Sequence, residues 1–207
     1  MEYFLSGDKK IMRFNYRMQV GKCMFLILML LILSCEDNRS ERGFETYNHR
    51  SKELISQWLS KFSENTDITC IKQFRSSVDV SEEERTLILQ KLKIADEKHL
   101  TEQLEYSFEF QLTDSLVGNL RLISFAQQQE LEEMDKNGEP YWEWYNASCQ
   151  GEWLEISKPI FNEDYSLAYF TSYTTCAVGS CGSGGRSVMK WEGDKLVTID
   201  NFDLVIH

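Results

Sequence analysis

The sequence predicts an α+β domain, with N-terminal helices packed on a mainly antiparallel C-terminal β-sheet. Three observations carry that expectation. Apolar residues between 48 and 63 recur at helical spacing, a helix-start signal stands at Ser81, and beyond Gly151 four β-branched and aromatic runs are separated by short polar turns. With 42% hydrophobic and 13% aromatic residues among 207, the chain can bury a core, and its length suits one domain of ordinary size.

Taken in order, Leu54, Ile55, Trp58, Leu59 and Phe62 form one stripe of an amphipathic helix over 48–63, with Lys52, Glu53 and Lys61 elsewhere on its surface. Ser81 followed by Glu84 is a capping-box pattern. It places Glu82, Glu83 and Glu84 in a first helical turn, where the helix dipole favours negative charge, and Leu87, Ile88 and Leu92 on the buried side. Tyr106, Phe108 and Phe110 alternate with polar residues, the period of a half-exposed strand, and Val117–Phe125 reads as another strand after the turn Thr113-Asp114-Ser115. Phe125–Lys136 reads as a helix stopped by Asn137-Gly138 and followed by Pro140. The remaining runs are Trp153–Ser157, Leu167–Thr175, Ser187–Trp191 and Leu196–Ile199, and turns as short as Glu192-Gly193-Asp194-Lys195 make sequential neighbours antiparallel.

Charge bounds the partners. The formal net charge of −11 repels phosphate backbones, so nucleic acid is not expected as a ligand.

The first 35 residues are of a different kind. Lys9, Lys10, Arg13, Arg17 and Lys22 outweigh Glu2 and Asp8 and precede the eleven apolar residues Cys23 to Leu33, then Ser34-Cys35. A basic segment followed by an apolar run of this length is the layout of a secretion signal, too short for a membrane-spanning helix. Ile32-Leu33-Ser34-Cys35 resembles the lipobox of bacterial lipoproteins. The resemblance implies cleavage before Cys35, lipidation of its thiol, and a mature protein tethered to the membrane by its acyl chains. Glu36 and Asp37 resemble the acidic surface-export signals of Bacteroidetes lipoproteins. That leaves the periplasmic face of the outer membrane and the cell surface both open. Ile156–Asp164, the cysteine and glycine loop Cys176–Gly185 and the hairpin at Lys190-Trp191 resemble the C-terminal region of a broad group of uncharacterised Bacteroidetes lipoproteins, which brings no catalytic residue with it. The expected organisation is a signal peptide at 1–35, a flexible polar tether at 36–46 and a single α+β domain at 47–207.

In an oxidising compartment the four remaining cysteines, Cys70, Cys149, Cys176 and Cys181, are expected in disulfides. Three pairings exist. Cys176 with Cys181 and Cys70 with Cys149 is favoured, because a short loop keeps the first two close. A zinc site is disfavoured, since it needs about four ligands and the chain has three histidines, His49, His99 and His207.

No catalytic constellation stands out, and neither metal nor cofactor is expected. The glycine-rich Gly179–Gly185 lies between two strand signals, lacks the lysine-hydroxyl pair of a phosphate loop and matches no nucleophile elbow, so a disulfide-pinned hairpin is the better reading. His99 is the one histidine placed where a general base could work, and a surface histidine without a catalytic role is the preferred reading. The patch Tyr141-Trp142-Glu143-Trp144-Tyr145 offers flat aromatic faces for a sugar or a protein partner, with core packing as the alternative. Asp114-Ser115-Leu116 resembles the short O-glycosylation acceptor of the same bacterial group. The expectation is therefore a lipid-anchored envelope module that binds a protein or glycan without catalysis. The alternative is an envelope hydrolase using paired carboxylates.

Overall fold

The computed structural model describes residues 41–74, 80–177 and 182–203. The lipobox with Cys35, residues 36–40 of the expected tether, Cys181 and His207 lie outside the described residues. Of the unit Met1–Glu45 only 41–45 are described, and they are helical; the second unit runs from Thr46.

Helix α1 spans residues 41–63, so helix occupies the stretch 41–46 that was expected as tether. Its stripe is buried as predicted: Leu54, Ile55 and Leu59 enter the main core, and Trp58 stacks on Phe62 and meets Phe170 edge-on at 5.1 Å. β1 (Cys70–Lys72) precedes α2 (Glu82–Leu92), where the Ser81 hydroxyl accepts the Glu84 amide at 3.2 Å and all three glutamates occupy the first turn. α3 follows at Glu97–Glu109, so the alternation of Tyr106, Phe108 and Phe110 belongs to a helix and its cap. The buried side of α3 is Leu100, Gln103 and Ser107; two of these are polar and hydrogen-bonded, which hides the helical period from an apolar pattern.

The stretch 117–125 is likewise not one strand. It comprises the end of α4 (Asp114–Val117), the three-residue β2 (Arg121–Ile123) and the start of α5 (Phe125–Lys136), whose Ser124 and Gln127 form a reciprocal capping box. α5 stops where predicted, with Gly138 at φ +73°, a backbone region open to glycine. A further helix, α6 (Tyr141–Cys149), carries the aromatic patch.

Strands β3 (Glu152–Ile156), β4 (Ile160–Phe161), β5 (Leu167–Cys176), β6 (Gly182–Glu192) and β7 (Lys195–Asp203) complete a mixed, mainly antiparallel sheet of order β2-β1-β3-β5-β6-β7, with β4 beside β5. The α+β class holds, with all three sequential pairs among the four predicted runs antiparallel; β1 adds parallel pairings to β2 and β3. β5 shows how the sheet is covered. Ala168 and Phe170 join Leu54 and Leu59 of α1, while Tyr169 points to the other side and joins Ile88 and Leu92 of α2. Gly182–Gly185 lie in the β6 ladder opposite Ser172–Thr175, so their amides belong to a sheet rather than to an anion nest. At Gly184 a Cβ would meet the Tyr173 ring and sit 2.6 Å from the Ser172 carbonyl oxygen, so glycine is required for the pairing.

β7 is an edge strand, and α1 covers its start. The Gln57 amide donates to the Asp194 carbonyl at 3.2 Å and accepts the Leu196 amide at 3.0 Å, while the Lys61 ammonium donates to the Leu196 carbonyl.

Candidate functional site

β3 and β4 are separate strands because Ser157-Lys158-Pro159 interrupts them, and proline has no amide to give the ladder. Ser157 stays tied to β5 through its amide to the Thr171 carbonyl at 2.8 Å and its hydroxyl, which accepts the Thr171 amide at 2.9 Å. The Pro159 carbonyl receives the buried Tyr47 hydroxyl at 3.0 Å. Beside this break lies a cleft of about 300 Å³.

Three neighbouring strands build much of its floor, with strict alternation along β5. Lys72 of β1, Glu155 of β3, and Tyr169, Thr171 and Tyr173 of β5 all line it. α2 supplies Glu84 and Ile88, and Gln73, Phe74 and Gln128 of α5 line it as well. Gln73 and Gln128 are fixed: the Gln73 carboxamide accepts the amides of Phe74 and Leu112 and donates to the Leu112 carbonyl, and the Gln128 amide donates to the carbonyls of Gln73 and Ile123.

Both carboxylates of the cleft have partners. Glu155 Oε1 receives the Lys72 ammonium at 2.8 Å and the Trp153 indole N–H at 2.7 Å, and Lys72 Nζ also lies 4.6 Å from the centre of the Trp153 ring. Glu84 Oε1 accepts the Tyr169 hydroxyl at 2.9 Å. Burial first and Glu84 second push the Tyr169 hydroxyl above its ordinary range, and burial raises Tyr173 against the opposing pull of Arg186. Glu84 thus serves the cleft rather than completing the capping box.

Lys158 differs. Its side chain is 3% exposed, its ammonium donates to the Ser107 carbonyl at the end of α3, and Nζ lies 5.6 Å from the Phe74 ring centre. None of the ion pairs among the described residues includes it. An ammonium carries three donors, and one carbonyl answers one of them. Burial pulls its pKa down to about 8.

The aromatic patch divides when placed on α6. Tyr145 is buried and stacks on Trp153 at 3.9 Å, so it is core rather than contact surface. Trp144 is half-buried under the Arg121 guanidinium at 5.1 Å, Tyr141 is half-buried edge-on to Tyr145, and Trp142, 40% exposed, is the large exposed aromatic of the four. The patch nonetheless reaches the cleft, because the Tyr145–Trp153 stack lies under Lys72, whose Nζ is 5.6 Å from the Tyr145 ring centre. The stack belongs to a cluster with Cys70 and Cys149, which form the expected disulfide across a sequence separation of 79. Cys176 is also disulfide-bonded.

His99 serves the fold: its Nε2 sits 3.1 Å from the Phe161 carbonyl, a buried strand end. Ser115 is exposed on α4. Among the described residues there is no group of three His, Cys, Asp or Glu side chains placed to hold a metal ion, and no helix long and apolar enough to cross a membrane. Lys158 has no role assigned from the sequence, although its setting holds a signal: a lysine between Ile156 and Ile160, directly before a proline. No family model, curated protein or solved structure matches the chain.

Proposed function

We propose that this is a lipid-anchored protein of the bacterial outer membrane whose domain binds a protein or glycan partner without transforming it. The observation that carries the reading is the state of the cleft. Glu155 is held by Lys72 and Trp153, and Glu84 by Tyr169, so each carboxylate is engaged in the fold, while the Lys158 ammonium has a single neutral carbonyl as its partner among the described residues. Acid-base hydrolysis instead needs one carboxyl able to give a proton and another able to act on water or the substrate. A site with a formed cavity, fixed walls and a few polar groups suits recognition. Elsewhere on the surface, Trp142 of α6 adds an exposed aromatic of the kind common at interfaces.

A second reading, an envelope hydrolase, draws on one observation: Glu84 and Glu155 line the same cleft. One experiment separates the two. The full chain is recovered from native membranes, Cys35 is examined by mass spectrometry for an acyl mass that Cys35→Ala abolishes, and the protein is incubated with envelope extracts. The binding reading expects a retained partner and no product. Turnover that Glu84→Gln and Glu155→Gln each abolish would replace it with the hydrolase.

A further inference from the structure

We infer that the cleft beside Lys158 binds a carboxylate carried on an apolar body about the size of one amino-acid residue, with the Lys158 ammonium as its counter-charge. The inference rests on the binding role above and narrows its ligand. Charge sets the head group. Lys158 is buried, makes a single hydrogen bond to a neutral carbonyl, and has no carboxylate partner among the described residues, whereas the other lysine of the cleft is already neutralised by Glu155. The Lys158 ammonium therefore has donors left for a ligand acceptor, and an anionic acceptor answers its charge directly. Glu84, whose partner is the neutral Tyr169 hydroxyl, already places one negative charge in this small space, so a monoanion meets less repulsion there than a dianion such as a phosphate monoester. A carboxylate accepts a charge-assisted hydrogen bond from an ammonium, the stronger kind of hydrogen bond in a protein.

The lining sets the body. Phe74, Val80, Ile88, Ile156 and Ile160 surround the polar groups. The carboxamides of Gln73 and Gln128 are already bonded to backbone, so a sugar ring rich in hydroxyls would find few free partners, and an aliphatic or aromatic group finds many. A cavity of about 300 Å³ stands at the small end of ligand sites, room for one residue rather than a chain. Such a carboxylate arrives either as the last residue of a peptide or as a free acid.

The test uses the full chain in detergent and two matched pairs of probes: N-acetyl-leucine against N-acetyl-leucinamide, and acetyl-Ala-Ala-Leu against its C-terminal amide, with glucuronate as an acidic sugar. Backbone amide shifts of Ser157 and Thr171 report binding in the cleft. The acid is expected to bind at least about tenfold more tightly than the amide, the worth of one charge-assisted hydrogen bond. Lys158→Met is expected to erase that difference; the wild-type acid-amide comparison stands without the variant. Binding of both acids assigns the ligand to a peptide end, and binding of N-acetyl-leucine alone assigns it to a free acid. Equal affinity of acid and amide, shifts confined to α6, or no shift with any probe at about 10 mM would overturn the inference. Glucuronate binding as well as N-acetyl-leucine would overturn it too, by removing the apolar body. The same samples are followed by mass spectrometry: conversion of a bound probe would sink the non-catalytic role while leaving the ligand class, and absence of carboxylate binding would leave that role in place.

Discussion

Two lysines line the same cleft and live under opposite conditions. At the β1 flank, Lys72 has a carboxylate at 2.8 Å, an indole face at 4.6 Å and, behind these, a stacked tyrosine and a disulfide. At the β3–β4 break, Lys158 is more deeply buried and has one peptide carbonyl. The β1 flank is closed electrostatically and strengthens the fold; the break carries a charge that costs stability and retains capacity for a partner. A buried ion is tolerable when compensated and expensive when left alone, so an uncompensated one in a cavity is where binding has most to gain.

The largest expected effect breaks the β1 flank. Replacing Cys70 and Cys149 together by alanine releases a loop of 79 residues, for which chain entropy alone gives a loss of about 4.5 kcal/mol, read as a lower denaturant midpoint. A midpoint unchanged from wild type would show that the bridge adds nothing beyond the packing around it. Next, Tyr145→Ala empties a buried aromatic position against Trp153 and is expected to cost about 4 kcal/mol, whereas Trp142→Ala on the same helix is expected to stay within about 0.5 kcal/mol. Similar losses for both would mean that the two aromatics share one environment.

The smallest effect is also the sharpest. Lys72→Met removes a 2.8 Å ion pair to Glu155 and should lower stability by about 1 kcal/mol, while Lys158→Met relieves a buried charge and should raise stability at pH 7 by a similar amount. pH gives the same contrast in the wild-type protein. Below about pH 8 Lys158 is charged in both folded and unfolded chains, and the folded state bears the full cost of burial. Between about 8 and the ordinary lysine value of 10.5 the unfolded chain holds the proton and the folded one does not, so stability climbs as pH rises. Above about 10 the direction reverses: burial raises the hydroxyls of Tyr47, Tyr145 and Tyr169, the unfolded chain ionises first, and stability falls. Denaturation curves from pH 7 to 10 should therefore rise for wild type and stay flatter for Lys158→Met. Parallel profiles would remove Lys158 as the source.

The legible parts of this fold were those whose signals are local. The α1 stripe, the Ser81 cap, the Asn137-Gly138 stop and the four long C-terminal runs all appear where the residues placed them. α3 was opaque because Gln103 and Ser107, polar but bonded, occupy its buried side. β1 and β2 are three residues each and pair in parallel, which leaves neither a turn nor a run to recognise. At the site, the disulfide and the aromatic cluster were visible as residue types, but burial sorted Tyr145 from Trp142, and only the fold decides burial. Lys158 gains its character from burial and from the sequence-distant Ser107 carbonyl, neither of which sequence spacing expresses.

The contact of Gln57 with β7 has a bearing on crowding. Its carboxamide donates to one strand group and accepts from another, imitating the peptide unit of an adjoining chain. Were many copies anchored side by side, this plug would occupy the hydrogen-bonding positions through which neighbouring sheets could zip together, so any such polymer would have to begin farther along the strand.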